Sequence, residues 1–73
     1  MNAVKAAIRY KTSHYFGVTT EDGHSFSIEN KCLLSDSVSL KSLRVGDTIL
    51  LETVKETSHW TLYRIHPYDP NKE

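Results

Sequence analysis

Apolar and polar residues alternate with period two along most of the chain, broken by short turns, and the i, i+3, i+4 recurrence of an amphipathic helix does not dominate anywhere. This pattern predicts an all-β fold. Ile8 and Tyr10 lie two apart in a first strand, and Phe16 and Val18 share one face of a second that runs into Glu21-Asp22-Gly23. Asp-Gly between two such runs signals a hairpin. Beyond it, Phe26 and Ile28 alternate with Ser25, Ser27 and Glu29 in a third strand with one apolar and one polar face.

From Asn30 to Leu43 the alternation gives way to serines and Asp36 interleaved with Leu33, Leu34, Val38, Leu40 and Leu43. Small polar side chains compete for backbone hydrogen bonds, so this stretch reads as a connection holding at most a turn or two of helix, anchored by its leucines. Val45-Gly46-Asp47 is a tight turn into a fourth strand from Thr48 to Val54, Glu56-Thr57-Ser58 makes the last hairpin, and His59 to Ile65 is the final strand. In that strand Trp60 and Leu62 are read as facing inward and Tyr63 outward, with Trp60 as an exposed stacking platform the alternative. The whole is one domain over residues 1–66 with a flexible tail over 67–73, and no internal repeat is read. Five strands with the longest connection between the third and fourth predict a small OB-fold, a partly open Greek-key barrel, with the SH3-like barrel as its rival.

Length and composition narrow the function. Seventy-three residues allow one small core and no second domain, which argues against a large enzyme with a deep cleft. Cys32 is the only cysteine, and no secretion-type leader is read, so the expected setting is reducing and cytoplasmic. The longest apolar run, Ile49-Leu50-Leu51, is far too short to span a bilayer, so no membrane association is expected. Nine basic residues balance nine acidic ones, which argues against tight, indiscriminate binding to nucleic acid. The balance is uneven, however: Lys5, Arg9 and Lys11 occupy the first twenty residues without an acidic neighbour.

Candidate chemistry is sparse. His14, His24, His59, His66 and Cys32 lack metal-ligand spacing, and no nucleophile motif, phosphate-cradling glycine loop or paired carboxylates appear, so neither a metal, a cofactor nor a catalytic residue is assigned. Cys32, beside Leu33 and Leu34, reads as a small buried hydrophobe. Gly23 and Gly46 suit turns with positive φ, and Gly17 suits a bulge or a close approach of other atoms to the backbone.

Phe16-Gly17-Val18-Thr19-Thr20-Glu21-Asp22-Gly23-His24, followed by Leu43-Arg44-Val45-Gly46-Asp47-Thr48-Ile49, resembles the S1-type OB domains, in particular the bacterial translation initiation factor one family. Ala7-Ile8-Arg9-Tyr10 and His14-Tyr15-Phe16-Gly17-Val18-Thr19 also resemble the first strand and the aromatic RNA-binding strand of cold-shock domains. The cold-shock resemblance implies that Tyr10, Phe16 and Phe26 face solvent as stacking platforms. Alternation instead turns Phe16, Val18, Phe26 and Ile28 inward and leaves Tyr15, Gly17 and Thr19 outside. Both resemblances imply single-stranded nucleic-acid binding, RNA before DNA, with modest affinity and little sequence preference. Basic residues interleaved with aromatic rings suit such a ligand, since bases stack while phosphates pair. The residues assigned to it are Arg9, Tyr10, Lys11, His14, Tyr15, Lys31, Lys41, Arg44, Trp60, Tyr63 and Arg64. The alternative is a protein-interaction module on a barrel that has lost nucleic-acid binding, favoured by the neutral charge and by Glu29. Either way, a monomer or weak dimer is expected.

Overall fold

The computed structural model describes residues 3–36 and 38–72. Its strands are β1 (Ala3–Lys11), β2 (Tyr15–Thr20), β3 (Ser25–Glu29), β4 (Leu33–Leu34), β5 (Thr48–Glu56) and β6 (Thr61–Pro67). They form one sheet in the order β3-β2-β1-β5-β6-β4, in which every neighbouring pair is antiparallel except β4 with β6. The all-β expectation holds, whereas the count of five strands does not: among the described residues there are six, in one sheet whose ladder is open. The additional strand is Leu33-Leu34, an apolar pair too short to alternate and therefore silent in the sequence. It belongs to the connection after β3, which otherwise holds two 3₁₀ turns, Asn30–Cys32 and Leu40–Ser42. Only the first of these turns separates β3 from β4, although the two strands lie at opposite ends of the sheet order. The sheet is therefore bent back on itself.

The enclosed face carries the core: Ala6, Ile8, Phe16, Val18, Ile28, Ile49, Leu51 and Ile65, closed by Leu33 and Leu43 from the connection. Phe16, Val18 and Ile28 are inward, as alternation requires, and Phe26 is half-buried against this cluster. The final strand differs from expectation. Tyr63 faces inward with Ile65 and stacks on Phe26 at a centroid distance of 5.8 Å, while Trp60 is exposed. The cause is that Leu62-Tyr63 is an adjacent apolar pair, and parity is settled by Ile65, which is fully buried. β6 itself continues to Pro67, and Lys5 stands over the ring of Tyr68 at 4.7 Å, inside the stretch read as a tail. Gly23 and Gly46 occupy their turns with φ of 92° and 98°.

A repeat does exist. β1–β2 and β5–β6 are the same hairpin, with Thr57 standing 45 positions after Thr12. Ile8↔Val18 and Tyr10↔Gly17 flank an extra residue at Arg9, and Thr53↔Tyr63 and Lys55↔Leu62 flank an extra residue at Val54. Both turns read Thr-Ser-His-aromatic and use the same bonds. The threonine hydroxyl accepts from the backbone N–H groups of the histidine and the aromatic residue, and the threonine N–H donates to the aromatic carbonyl at 2.8 Å in each. Lys5 and Leu50 pair at the centre of the antiparallel β1–β5 contact, so a local two-fold relates the hairpins.

On the outward side of β5 and β6, Glu52, Arg64 and His66 form a half-buried ionic cluster that also holds the connection through Asp36. His66 Nε2 lies 2.6 Å from Glu52 Oε1, and Arg64 reaches Glu52 at 3.6 Å and Asp36 at 3.4 Å. The hydrogen bond from His66, aided by Arg64, holds the Glu52 carboxyl below the usual glutamate range, despite partial burial that opposes it. A carboxyl lowered on folding stabilises the fold above its unfolded pKa of about 4.3, and that contribution disappears as the pH falls through the folded value. Glu52→Gln is therefore expected to lower the melting temperature near neutral pH and to flatten its decline on acidification. An acid limb with the same slope in both proteins would contradict this.

Candidate nucleic-acid interface

The bulge at Arg9 decides what the outer face of β1, β2 and β3 presents. Ile8 faces the core, and without the extra residue Tyr10 would follow it there; instead Tyr10 pairs with Gly17, whose position between buried Phe16 and Val18 makes it outward. The Tyr10 ring packs against Gly17, in the space that a side chain there would occupy. Its hydroxyl is hydrogen-bonded to Ser27 Oγ on β3. The ring is thus held against backbone while the residue stays 41% exposed. Beside it, the Arg9 guanidinium donates to Ser25 Oγ at 3.0 Å and reaches Thr19 Oγ1 at 3.4 Å. Arg9 and Tyr10 are consecutive residues that both lie across the sheet, fixed at their far ends by serines of β3.

The outward row of β3, Ser25, Ser27 and Glu29, is the spine of this surface. Tyr15, 46% exposed, pairs with Glu29 across the β2–β3 ladder, and Lys31 Nζ lies 3.2 Å from Glu29 Oε2. The hydrogen bond to this carboxylate raises the Lys31 ammonium above its usual pKa, keeping it charged. On the open side of β3 a groove of about 220 Å³ runs between Ser27 and Glu29 on one wall and His59 and Trp60 on the other, with Cys32 and Tyr63 also lining it. Trp60 is 47% exposed, and Lys55 Nζ stands over its ring at 5.7 Å. Tyr15 and Trp60 are the equivalent residues of the two Thr-Ser-His-aromatic turns, and they flank β3 from opposite sides. Burial lifts the Tyr63 phenol above its usual pKa.

Of the residues singled out by sequence, Arg9, Tyr10, Tyr15, Lys31 and Trp60 therefore border one surface. His14 is exposed in the first turn, where its carbonyl accepts from Asn30 N–H at 2.8 Å. Others are placed differently. Lys11 pairs with inward Phe16, and its ammonium donates to the carbonyls of Leu40 and Leu43, each at 2.6 Å, so it fastens the connection. Arg64 belongs to the ionic cluster on the other half of the sheet, and Tyr63 belongs to the core edge. Lys41 and Arg44 are exposed on the connection, where Arg44 N–H donates to Asp47 Oδ2 at 2.9 Å. Sequence reasoning missed Ser25, Ser27 and His59. The repeated Thr-Ser-His-aromatic string was the available signal for His59, and Gly17 between two core residues was the signal for a side chain lying over it.

A larger opening, about 470 Å³, sits beside the β2–β3 turn with Val4, Phe26, Leu51 and Tyr63 as apolar walls. Asp22 and His24 stand at it, 3.0 Å apart, and hydrogen bonds from Thr20 and His24 lower the Asp22 carboxyl. A carboxylate at an apolar mouth is a poor match to phosphate. Among the described residues no cluster of His, Cys, Asp and Glu could hold a metal ion, and no helix is long and apolar enough to cross a membrane. No protein family, no curated protein and no solved structure was found to match the chain.

The Tyr10–Gly17 contact is open to a double-mutant test. Gly17→Ala places a methyl group where the ring lies and is expected to cost about 1–3 kcal/mol of unfolding free energy, as overpacking does. In a Tyr10→Ala background the same substitution should cost much less. Equal costs in the two backgrounds, measured by denaturant unfolding, would show that the ring does not rest on Gly17.

Proposed function

We propose that this protein binds single-stranded nucleic acid, RNA in the first instance, across the outer face of β1, β2 and β3, on an OB-type scaffold. The observation that carries the reading is the Tyr10 ring, packed on Gly17 with its hydroxyl bonded to Ser27, immediately beside an outward arginine. An exposed ring held in place on the sheet surface is the form a base-stacking platform takes, and such stacking is worth about 1–3 kcal/mol per base. Tyr15 and Trp60 supply further exposed rings beside the same strand. Arg9, Lys31 and Lys55 supply cations within the aromatic surface, the combination that suits a flexible strand whose bases stack while its phosphates pair.

The strand order supports the OB-type part of the proposal. β1, β2 and β3 form a meander, and β5 returns by the long connection to lie beside β1, giving the spatial order β5-β1-β2-β3 of a Greek key. The open ladder suits a partly open barrel. Few cations face the ligand, so affinity is modest and the salt dependence shallow. The protein-docking alternative has one observation of its own, the outer edge of β3, which pairs with no strand among the described residues and could accept one from a partner.

Binding of a short single-stranded RNA, followed by fluorescence anisotropy over a range of salt, separates the roles of Arg9 and Lys11. Arg9→Ala should weaken binding and reduce the slope of log K against log salt by roughly one. Lys11→Ala should instead lower the melting temperature, because its ammonium holds the connection rather than a phosphate. An RNA affinity unaffected by Arg9→Ala and Tyr10→Ala together would refute the proposed face.

A further inference from the structure

Glu29 is the anomaly of the proposed surface: a carboxylate on the outward row of a strand meant to meet a polyanion. Its placement resolves the difficulty. Lys31 Nζ, 3.2 Å from Oε2, offsets its charge towards phosphate, and Oε1 has no hydrogen-bond partner among the described residues. Tyr15 pairs with it on one side. On the other side lies the groove of about 220 Å³ whose far wall is His59 and Trp60.

Trp60 is also positioned rather than merely exposed. Thr57 fixes the turn at both of its backbone groups: Trp60 N–H donates to Thr57 Oγ1 at 3.0 Å, and the Trp60 carbonyl accepts from Thr57 N–H and from its hydroxyl, each at 2.8 Å. An aromatic ring on a fixed turn and a carboxylate on a strand thus border one slot open to solvent. Stacking against the ring would bring the edge of a planar ligand to the carboxylate.

Resting on the nucleic-acid reading above, we propose that this groove is a nucleobase pocket selective for guanine, with Trp60 as the stacking surface and Glu29 as the reader of the base edge. In a single strand the Watson–Crick edge is free to be read. A carboxylate offers two acceptor oxygens and, being ionised, no donor, so the edge that fits it presents two adjacent N–H donors. Guanine does so through N1–H and N2–H. Uracil, adenine and cytosine each place at most one donor beside an acceptor, which a second carboxylate oxygen would repel. Ser27, in the same groove, has its hydroxyl bonded to Tyr10, so Glu29 is the side chain whose charge decides the preference.

Trp60 is the only tryptophan, which makes its fluorescence a report from the pocket itself. The full chain is titrated with an RNA octamer of uridines and with the same octamer carrying one central guanosine, inosine, adenosine or cytidine. The guanosine octamer should bind about tenfold tighter than the uridine octamer, within the range of a bidentate base contact. It should also quench Trp60 most strongly. Inosine, which keeps N1–H and lacks the N2 amino group, should lose most of this gain. Glu29→Gln should bring guanosine and inosine to the same affinity, with circular dichroism confirming that the variant is folded. Equal binding of all five octamers would overturn the guanine pocket and leave the nucleic-acid reading standing. Binding of none of them would overturn both. A guanosine preference that persists in Glu29→Gln would overturn the role given to the carboxylate.

Discussion

The extra residue at Arg9 is the constraint on which the outer face depends. In an uninterrupted strand every second side chain shares a face, so Ile8 in the core would take Tyr10 with it. A bulge breaks that rule once, at the end of β1, and its consequences spread over three strands. Tyr10 turns outward onto Gly17 and reaches Ser27, Arg9 spreads towards Thr19 and Ser25, and Lys11 turns inward to hold the carbonyls of the connection. One inserted residue thus builds an aromatic surface and closes the fold behind it.

The same bulge recurs at Val54, and comparing the two hairpins shows how a shared scaffold takes on two roles. The positions of Tyr10 and Gly17 in the first are those of Lys55 and Leu62 in the second, and the position of Thr19 is that of Arg64. The first hairpin therefore carries a ring on bare backbone. The second carries the ionic cluster of Glu52, Arg64 and His66, which faces the connection through Asp36. What both retain is the Thr-Ser-His-aromatic turn. Because β1 and β5 are antiparallel while the sheet bends back on itself, the two turns bring Tyr15 and Trp60 to opposite sides of β3. The local symmetry thereby supplies two aromatic walls from one motif.

Much of the fold was legible in the sequence, for reasons that vary between elements. Phe16, Val18 and Ile28 lie in strands whose polar residues alternate cleanly, and their burial follows from parity alone. The Gly23 and Gly46 turns were equally plain, since only glycine takes φ near 90° without strain. Parity failed where a bulge intervened, so Tyr10 could not be separated from Ile8. It failed again at Leu62-Tyr63, where two adjacent apolar residues leave the phase undetermined. β4 could not be seen because two leucines have no period. In the candidate site, exposed rings and cations were identifiable as types, but the division between Arg9, which faces outward, and Lys11, which serves the connection, depends on the bulge. The repeated turn was visible in Thr12 to Tyr15 and Thr57 to Trp60, and would have drawn attention to His59 and to the pairing of Tyr15 with Trp60.

The most direct test of the account is a map of which amides respond to a single strand. In a titration of isotope-labelled protein with a short RNA, followed by backbone amide NMR, the account predicts shifts confined to Arg9 and Tyr10, Tyr15 to Gly17, Ser25 to Lys31 and His59 to Thr61. Leu50, Glu52, Arg64 and His66, on the other half of the sheet, should not move. Shifts centred on that second group, or none at concentrations well above those of modest binding, would contradict it.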